Sequence, residues 1–207
     1  MVKPSNLPYE EAASVPQAAF TALHALRDQG KVKSGQKVLI NGATGGVGTC
    51  RTDCKAFGAE VTGVCSTCNL DLVRSIGADQ VIDYTKEDFN NNGKQYDLIV
   101  EIAANHSLSA LKRSLTPDGP CVVVGFSTVL HMLCVTSLGP CISKFGDQEM
   151  GMLMPEENKS DLVFMKELLE AGKVVPVIDR QYAFNEIPEA IRYLEGGHAR
   201  GKVVITM

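Results

Sequence analysis

Four glycines follow a short apolar run in the stretch KVLINGATGGVG, which extends from Lys37 to Gly48. Because glycine has no Cβ, backbone N–H groups at Gly45 could approach a pyrophosphate closely, and Gly48 could let a following helix pack tightly against the strand. The amino end of that helix would add unpaired donors and a partial positive charge. The stretch therefore predicts a dinucleotide site. The alternative is a turn that only needs positive φ angles.

The end of the next apolar run, residues 61–65, bears on which dinucleotide would bind. NAD-binding units usually carry Asp or Glu about 20 residues after the glycines, where it holds the ribose 2′-hydroxyl. Glu60 begins this run, and the run ends in Cys65-Ser66-Thr67-Cys68 with no carboxylate. Two hydroxyls at that point, Ser66 and Thr67, could bind a 2′-phosphate, which favours NADP(H) over NAD(H). Alternatively, they only cap the following helix.

Strand and helix patterns alternate along the chain, as expected for the elements that would position these residues. The helix expected after the glycines covers residues 47–57, Asn69 is expected to cap a second helix, and Ser160 a later amphipathic one. The expected strands are residues 37–40, 61–65, 81–83, 97–103 and 121–126, with a late one in MGMLMP. This order predicts an α/β fold, a Rossmann-type doubly wound parallel sheet with helices on both faces.

Composition excludes several classes of protein. The formal net charge of the 207 residues is −4 with no dense basic run, which argues against nucleic acid as a partner. No apolar segment reaches the roughly 18 residues of a membrane span. The amino terminus has no signal-peptide pattern, and several of the seven cysteines lie in apolar runs. Both features lead us to expect a reducing, cytoplasmic location.

Other reactive side chains form weaker patterns. Cys65 and Cys68 have the spacing of a redox pair or half a zinc site, but no matching second pair of ligands follows, so no metal is expected. The four histidines are scattered, and none has the partners of a catalytic triad. Glu101, at the end of the fourth expected strand, has a structural hydrogen bond as its simplest role. We assign no catalytic residue from the sequence.

Five segments together resemble the zinc-independent medium-chain dehydrogenase/reductases. They are NGATGGVGT, AFGAEVTGVCST, IGADQVIDYT, DLVFMKELLEAGKVVPVIDRQYAF and GHARGKVVITM. The nearest branch is that of the NADPH-dependent quinone oxidoreductases and the alkenal or enone reductases. The resemblance implies a Rossmann domain over residues 18–172, a junction segment over 1–17, and a remnant of a catalytic domain over 173–207.

The same resemblance implies a role for particular residues. It places the pyrophosphate, the adenosine 2′-phosphate and the nicotinamide in three places along the chain, and it places a homodimer interface in residues 129–142. The implied cofactor ligands are Gly45, Gly46 and Val47 for the pyrophosphate, Ser66 and Tyr84 for the 2′-phosphate, and Gly125, Phe126 and Ser127 near the nicotinamide.

The chain departs from the family pattern in three ways. Because the resemblance begins at the junction with the Rossmann domain, we expect the catalytic domain that precedes it in family members, and most of the substrate pocket, to lie outside this chain. Cys68 stands where close relatives have an arginine that would pair with the 2′-phosphate, so weaker NADPH preference is expected. Arg51 and Asp53 stand where relatives have apolar or amide residues that face the sheet. A charge forced into that interface is costly unless it is paired or turns outward.

Two kinds of function follow from these observations. The first is an oxidoreductase that transfers a hydride from NADPH to a quinone or an activated carbon–carbon double bond, with little turnover from this chain alone. The second is a nucleotide-binding or dimerisation module without catalysis. A further possibility is that the chain is a fragment of a longer gene product.

Overall fold

The computed structural model describes residues 3–51, 57–126, 128–145, 148–154, 158–197 and 199–207. Its strands are β1 (Lys37–Asn41), β2 (Glu60–Cys65), β3 (Gln80–Asp83), β4 (Leu98–Glu101), β5 (Cys121–Val123), β6 (Met150–Met152), β7 (Ile178–Ala183) and β8 (Lys202–Thr206). Its α-helices are α1 (Tyr9–Ser14), α2 (Pro16–Leu23), α3 (Leu70–Ser75), α4 (Leu108–Arg113), α5 (Val129–Phe145), α6 (Lys159–Glu170) and α7 (Ile187–Glu195).

Six strands form one sheet in the order β3-β2-β1-β4-β5-β6, and every neighbouring pair is parallel. From β1 the chain moves outward to β3, then crosses back to β4 and moves outward to β6. The strand order therefore reverses between β1 and β4, and all six strands end at the same edge. The predicted doubly wound parallel sheet is confirmed.

The central strands are apolar because both faces of the sheet are covered. Val38 of β1 lies in a cluster with Leu26 and Val73 on one face. Its neighbour Leu39 lies in a second cluster with Leu111 of α4 on the other face. Alternate residues of a strand point to opposite faces, so a continuous apolar run fills both layers. Helices on both faces are confirmed as well.

Several elements differ in detail from the sequence expectations. The expected helix over 47–57 begins as a 3-10 turn, Gly48–Arg51, in which the Thr49 hydroxyl donates to the Gly46 oxygen. The rest of that helix, with Asp53, lies outside the described residues, as does the side chain of Arg51. Strand β5 ends at Val123, three residues earlier than expected.

Helix α6 begins with a different cap from the expected one. The side chain of Asn158 accepts a hydrogen bond from the backbone N–H of Asp161 at 2.8 Å and another from the Ser160 hydroxyl at 2.6 Å. Ser160 therefore lies inside the first turn, and its assignment as the cap was wrong. Asn is as good a cap as Ser, and its longer side chain reaches the N–H three residues on.

The segment before β1 is helical, and Pro16 divides it. Helices α1 and α2 meet at Val15, and a π-helical segment, His24–Gln29, continues α2. Buried residues of α2 pack against Met165 and Leu169 of α6. The expected boundary between residues 17 and 18 falls inside α2.

The carboxyl-terminal segment forms a structure of its own beside the large sheet. Strands β7 and β8 pair in parallel, and α7 connects them. Phe184 is 64% exposed, and Ile191 and Leu194 are each 50% exposed. Among the described residues, no helix combines the length and apolar character that crossing a membrane requires.

Candidate functional site

The residues that the sequence assigned to a cofactor lie in a row along the carboxyl edge of the sheet. In sheet order they are Tyr84 after β3, Ser66 after β2, Gly45 after β1 and Gly125 after β5. Neighbouring strands lie about 4.8 Å apart, so the row from β3 to β5 is roughly 19 Å long. An extended ligand lying across the strand ends would meet these residues one after another.

The glycine loop after β1 is folded back tightly on itself. Gly42 has a φ of +91°, and a Cβ there would lie 3.0 Å from the backbone nitrogen of Ala103. A Cβ on Gly48 would lie 2.2 Å from the Gly42 carbonyl oxygen, closer than any real contact. Gly48 is therefore required by the packing of the loop itself, whereas its expected role was to let the following helix pack tightly against the strand.

Gly45 has the opposite environment. A Cβ there would meet only the Gly42 oxygen, at 4.0 Å. The fold therefore makes no steric demand for glycine at this position, and the side of the backbone where a Cβ would lie is open. That arrangement is what close approach of a phosphate to the backbone requires. The Gly45 N–H makes a long hydrogen bond to the Gly42 oxygen at 3.5 Å, and the Gly45 oxygen accepts from the Thr49 N–H at 2.9 Å. The neighbouring Val47 is partly buried and packs against the cluster between α2 and α6.

Lys202 was not assigned to the site from the sequence, yet it lies across the glycine loop. A Cβ on Gly46 would lie 2.7 Å from Lys202 Cε and 3.0 Å from Lys202 Nζ. The ammonium group thus places a positive charge beside the loop. The lysine begins β8, far along the chain from the glycines, and no local motif marks it.

The turn after β2 holds Ser66 at the edge of the sheet. The Ser66 hydroxyl oxygen accepts a hydrogen bond from Asn69 Nδ2 at 3.0 Å and lies 3.3 Å from Cys68 Sγ. Asn69 had been expected to cap α3 with its side chain, but the side chain makes no capping hydrogen bond. The backbone N–H of Tyr84 donates to the Cys65 oxygen at 3.1 Å, which brings Tyr84 beside this turn, with its side chain 60% exposed.

Thr67 is turned toward β3. Its hydroxyl donates to Asp83 Oδ2 at 2.6 Å, and the Thr85 hydroxyl donates to Asp83 Oδ1 at 2.7 Å. These bonds, led by that of Thr67, lower the pKa of Asp83 to about 2. Lys86 Nζ lies 3.5 Å from Asp83 Oδ2. Sequence reasoning missed Asp83, although its position directly before Tyr84 was a usable signal.

Glu101, at the end of β4, is fully buried. Its Oε1 atom accepts hydrogen bonds from Asn41 Nδ2 and from the backbone N–H of Ala104, both at 2.7 Å. Burial raises the pKa of Glu101 to about 7, against the effect of these hydrogen bonds. The side chain joins the end of β1 to the turn after β4, in agreement with the structural role expected for it.

The stretch after β5 lies at the far end of the row. Gly125 is partly buried, and a Cβ there would lie 3.0 Å from the Ile102 oxygen. Phe126 is 48% exposed. Ser127, the third residue assigned to this end, lies outside the described residues.

The likeness to known proteins agrees with this geometry. Residues 76–205 match the family profile described as zinc-binding dehydrogenase. The chain belongs to this family. It is 35% identical over 230 residues to the mitochondrial NAD(P)H oxidoreductase RTN4IP1 of mouse, covering 99% of this chain and 57% of the mouse protein. It is also 35% identical over 212 residues to a 2-methylene-furan-3-one reductase of tomato, covering 99% and 48% respectively.

Solved structures place the chain among the medium-chain dehydrogenase/reductases of the quinone oxidoreductase type. The quinone oxidoreductase of Coxiella burnetii superposes with a TM-score of 0.85 at 28% identity, covering 100% of this chain and 63% of that one. The resemblance inferred from the sequence is therefore confirmed. The chain spans about half to two thirds of the length of these relatives.

The name of the zinc-binding dehydrogenase family raises the question of metal ligands. Within the described ranges, one group of His, Cys, Asp or Glu side chains is close enough to share an ion: His24, Asp28 and Asp161. Arg27 Nη1 lies 2.7 Å from Asp161 Oδ1, so a cation already neutralises this carboxylate. The group is best described as a partly buried ion-pair cluster, in which His24 and Asp161 are buried and Asp28 is exposed.

The two cysteines with redox spacing face different surroundings. Cys65 is buried at the end of β2, whereas Cys68 is exposed on the turn after it. Neither cysteine forms a disulfide, and the same holds for Cys121 and Cys134. The hydroxyl of Ser66 lies beside Cys68, so the exposed thiol belongs to the surroundings of the Ser66 turn.

Proposed function

We propose that this chain is the cofactor-binding part of an NAD(P)H-dependent oxidoreductase of the quinone or enone reductase type. The observation that carries the proposal is the open space on the Cβ side of Gly45, with Lys202 beside the neighbouring Gly46, where the strand order reverses. Parallel α/β sheets bind ligands at such a reversal. The names of the relatives, an NAD(P)H oxidoreductase and a furanone reductase, point to the same chemistry.

NADP(H) fits the residues along the row. The backbone of Gly45 and Gly46, with the Lys202 ammonium, would hold the pyrophosphate. Ser66 and Tyr84 would meet the adenosine 2′-phosphate, and Gly125 with Phe126 would lie beside the nicotinamide. When bound, NADPH supplies a hydride for a quinone or an activated double bond. The contribution of the chain is to hold and orient the cofactor.

Substrate would be positioned mainly by a part of the protein that this chain does not contain. We divide the chain as 1–17 junction, 18–172 dinucleotide-binding domain and 173–207 catalytic-domain remnant. The exposed Phe184, Ile191 and Leu194 support this division, because such a surface suits burial against another domain. Since hydride transfer tolerates little misplacement, we expect weak turnover or none from the chain alone.

A nucleotide-binding or dimerisation module without catalysis is the second candidate, and the exposed apolar side chains of α5 favour it. We also propose a homodimer, because Val129, Leu130 and Leu133 of α5 are each more than half exposed. Sedimentation equilibrium tests this, and a monomer at all concentrations would contradict it.

The absence of disulfides among the described cysteines supports a reducing compartment, which we expect to be the cytoplasm, although the mouse relative is named mitochondrial. Cell fractionation distinguishes the two.

Titration of the purified chain with NADPH and NADH, followed by calorimetry, tests the proposal. Binding of NADPH together with its oxidation by a quinone or enone would support the enzyme, and binding without oxidation would support the module. No binding of either nucleotide would contradict both. Cys68→Arg restores a cation at the expected 2′-phosphate position and should tighten NADPH about tenfold while NADH is unaffected. An equal effect on both would contradict the placement of the adenosine end.

A further inference from the structure

The carboxylate of Asp83 lies between the two segments that carry Ser66 and Tyr84. Asp83 ends β3 and pairs in register with Cys65 at the end of β2. Its side chain is 7% exposed and reaches Thr67 in the turn after β2 and Thr85 in the turn after β3. One carboxylate therefore links both turns that would surround the adenosine ribose.

The hydrogen bonds around Asp83 can be counted. An ionised carboxylate only accepts hydrogen bonds, and its lowered pKa keeps Asp83 ionised at neutral pH. The single hydroxyl hydrogens of Thr67 and Thr85 are thus both donated to Asp83. The two hydroxyl oxygens lie 2.9 Å apart, so one hydroxyl could instead donate to the other. In either arrangement both hydrogens are used within the group formed by Thr67, Thr85 and Asp83, and neither is left for a phosphate.

Ser66 differs from Thr67 in this respect. Its oxygen accepts a hydrogen bond from Asn69. Within the part of the chain that the structure describes, the acceptor recorded for its own hydrogen is the weak one Cys68 Sγ, at 3.3 Å. Ser66 can therefore still donate to a ligand. Of the two hydroxyls that the sequence offered for a 2′-phosphate, the hydrogen-bond geometry leaves one available.

Charge at this end of the site is balanced. Lys86 Nζ lies 3.5 Å from Asp83 Oδ2, so this ammonium already has an anionic partner. Cys68 contributes no positive charge. A 2′-phosphate would meet a neutral pair here, with the negative member held in place by two threonines and the positive member on a long, exposed side chain.

Resting on the function proposed above, we infer that Asp83 is a specificity-determining residue that weakens preference for the 2′-phosphate. It withholds the hydrogens of Thr67 and Thr85 from the ligand and balances the charge of Lys86. The wild-type chain then binds nucleotides with and without a 2′-phosphate at similar strength. Asp83 acts through Thr67, Thr85 and Lys86.

Calorimetric titration with 2′,5′-ADP and 5′-AMP, which differ in the 2′-phosphate, tests the inference. Asp83→Asn removes the charge and frees one threonine hydrogen, so the ratio of 2′,5′-ADP to 5′-AMP affinity should rise about fivefold or more. Asp71→Asn, a change of the same kind on an exposed residue of α3, should leave the ratio unaltered. An unaltered ratio in Asp83→Asn would overturn the inference.

Thr67→Val provides a second test should Asp83→Asn fail to fold. Because the Thr67 hydrogen is already donated to Asp83, its removal should leave the affinity ratio of the two probes unchanged. Selective loss of 2′,5′-ADP binding would mean that Thr67 contacts the phosphate directly, against the inference. If the wild type binds neither probe nor NADPH, the proposed function fails. If it binds them and only the variants disagree, the inference about Asp83 alone fails.

Discussion

The Nε2 atom of His24 lies 2.7 Å from Asp161 Oδ2, and this contact joins the segment after α2 to the start of α6. Arg27 Nη1 holds the other oxygen of the same carboxylate at 2.7 Å. Asp161 is 4% exposed, and its pKa lies well below the ordinary range, chiefly because of Arg27. The helical segment before β1 is therefore tied to α6 by charge as well as by apolar packing.

Asp161→Asn should lower the free energy of unfolding by about 3 kcal/mol, because it breaks a buried, paired charge. The carboxylate's contribution is present above the ordinary carboxyl pKa and is lost as acid protonates Asp161. The variant should therefore lose less stability than the wild type on acidification. Urea denaturation at pH 7 and pH 3 measures both effects. Asp118→Asn, at an exposed turn, is the control, and equal stabilities of the two variants would contradict the role of the cluster.

Gly48→Ala and Gly45→Ala separate packing from ligand contact in the same loop. At Gly48 the added Cβ collides with the Gly42 carbonyl, and we expect a loss of about 2 kcal/mol in stability. At Gly45 it meets open space, so the fold should tolerate it while nucleotide binding weakens. Thermal melting and NADPH titration of both variants check this. Unchanged NADPH affinity in a folded Gly45→Ala would argue against phosphate approach at that backbone.

Lys202→Met should weaken NADPH and NADH by the same factor, about tenfold, because the pyrophosphate is common to both. The affinity of the variant should also depend less on salt concentration than that of the wild type. Calorimetry at two ionic strengths gives both results. Lys173→Met, which removes an exposed lysine after α6, is the matched control. A selective effect on one nucleotide would place Lys202 away from the pyrophosphate.

Glu101→Gln should change how stability depends on pH. The pKa of Glu101 is raised from 4.5 to about 7 in the folded chain. The stabilisation that the protonated side chain provides is therefore fully present below about pH 4.5. That effect is lost as pH rises through about 7. Relative to the wild type, the variant should gain on the order of 3 kcal/mol between pH 4.5 and pH 8. Denaturation curves across this range measure the difference, and parallel curves would mean that Glu101 titrates normally.

Much of this protein was open to prediction because the relevant signals are local. Continuous apolar runs such as VLI and LIVE predict strands buried on both faces, and their alternation with helices predicts a parallel sheet. The glycine requirement at Gly48 is also local, since the clash lies within the same loop. Boundaries and caps were less certain, because Asn158 and Ser160 are both good cap residues and only the path of the chain selects between them.

Only the tertiary structure decided which distant side chains share the sheet edge. Lys202 lies beside Gly46 because β8 returns next to the glycine loop. Asp83 accepts the hydrogen bond of the Thr67 hydroxyl because β2 and β3 end side by side. The sequence determined that Ser66 and Thr67 follow the end of a strand, but from the sequence alone both hydroxyls are equal candidates to donate a hydrogen bond to a ligand. Which hydrogen is free depends on the acceptor nearest in space, and spacing along the chain carries no information about that.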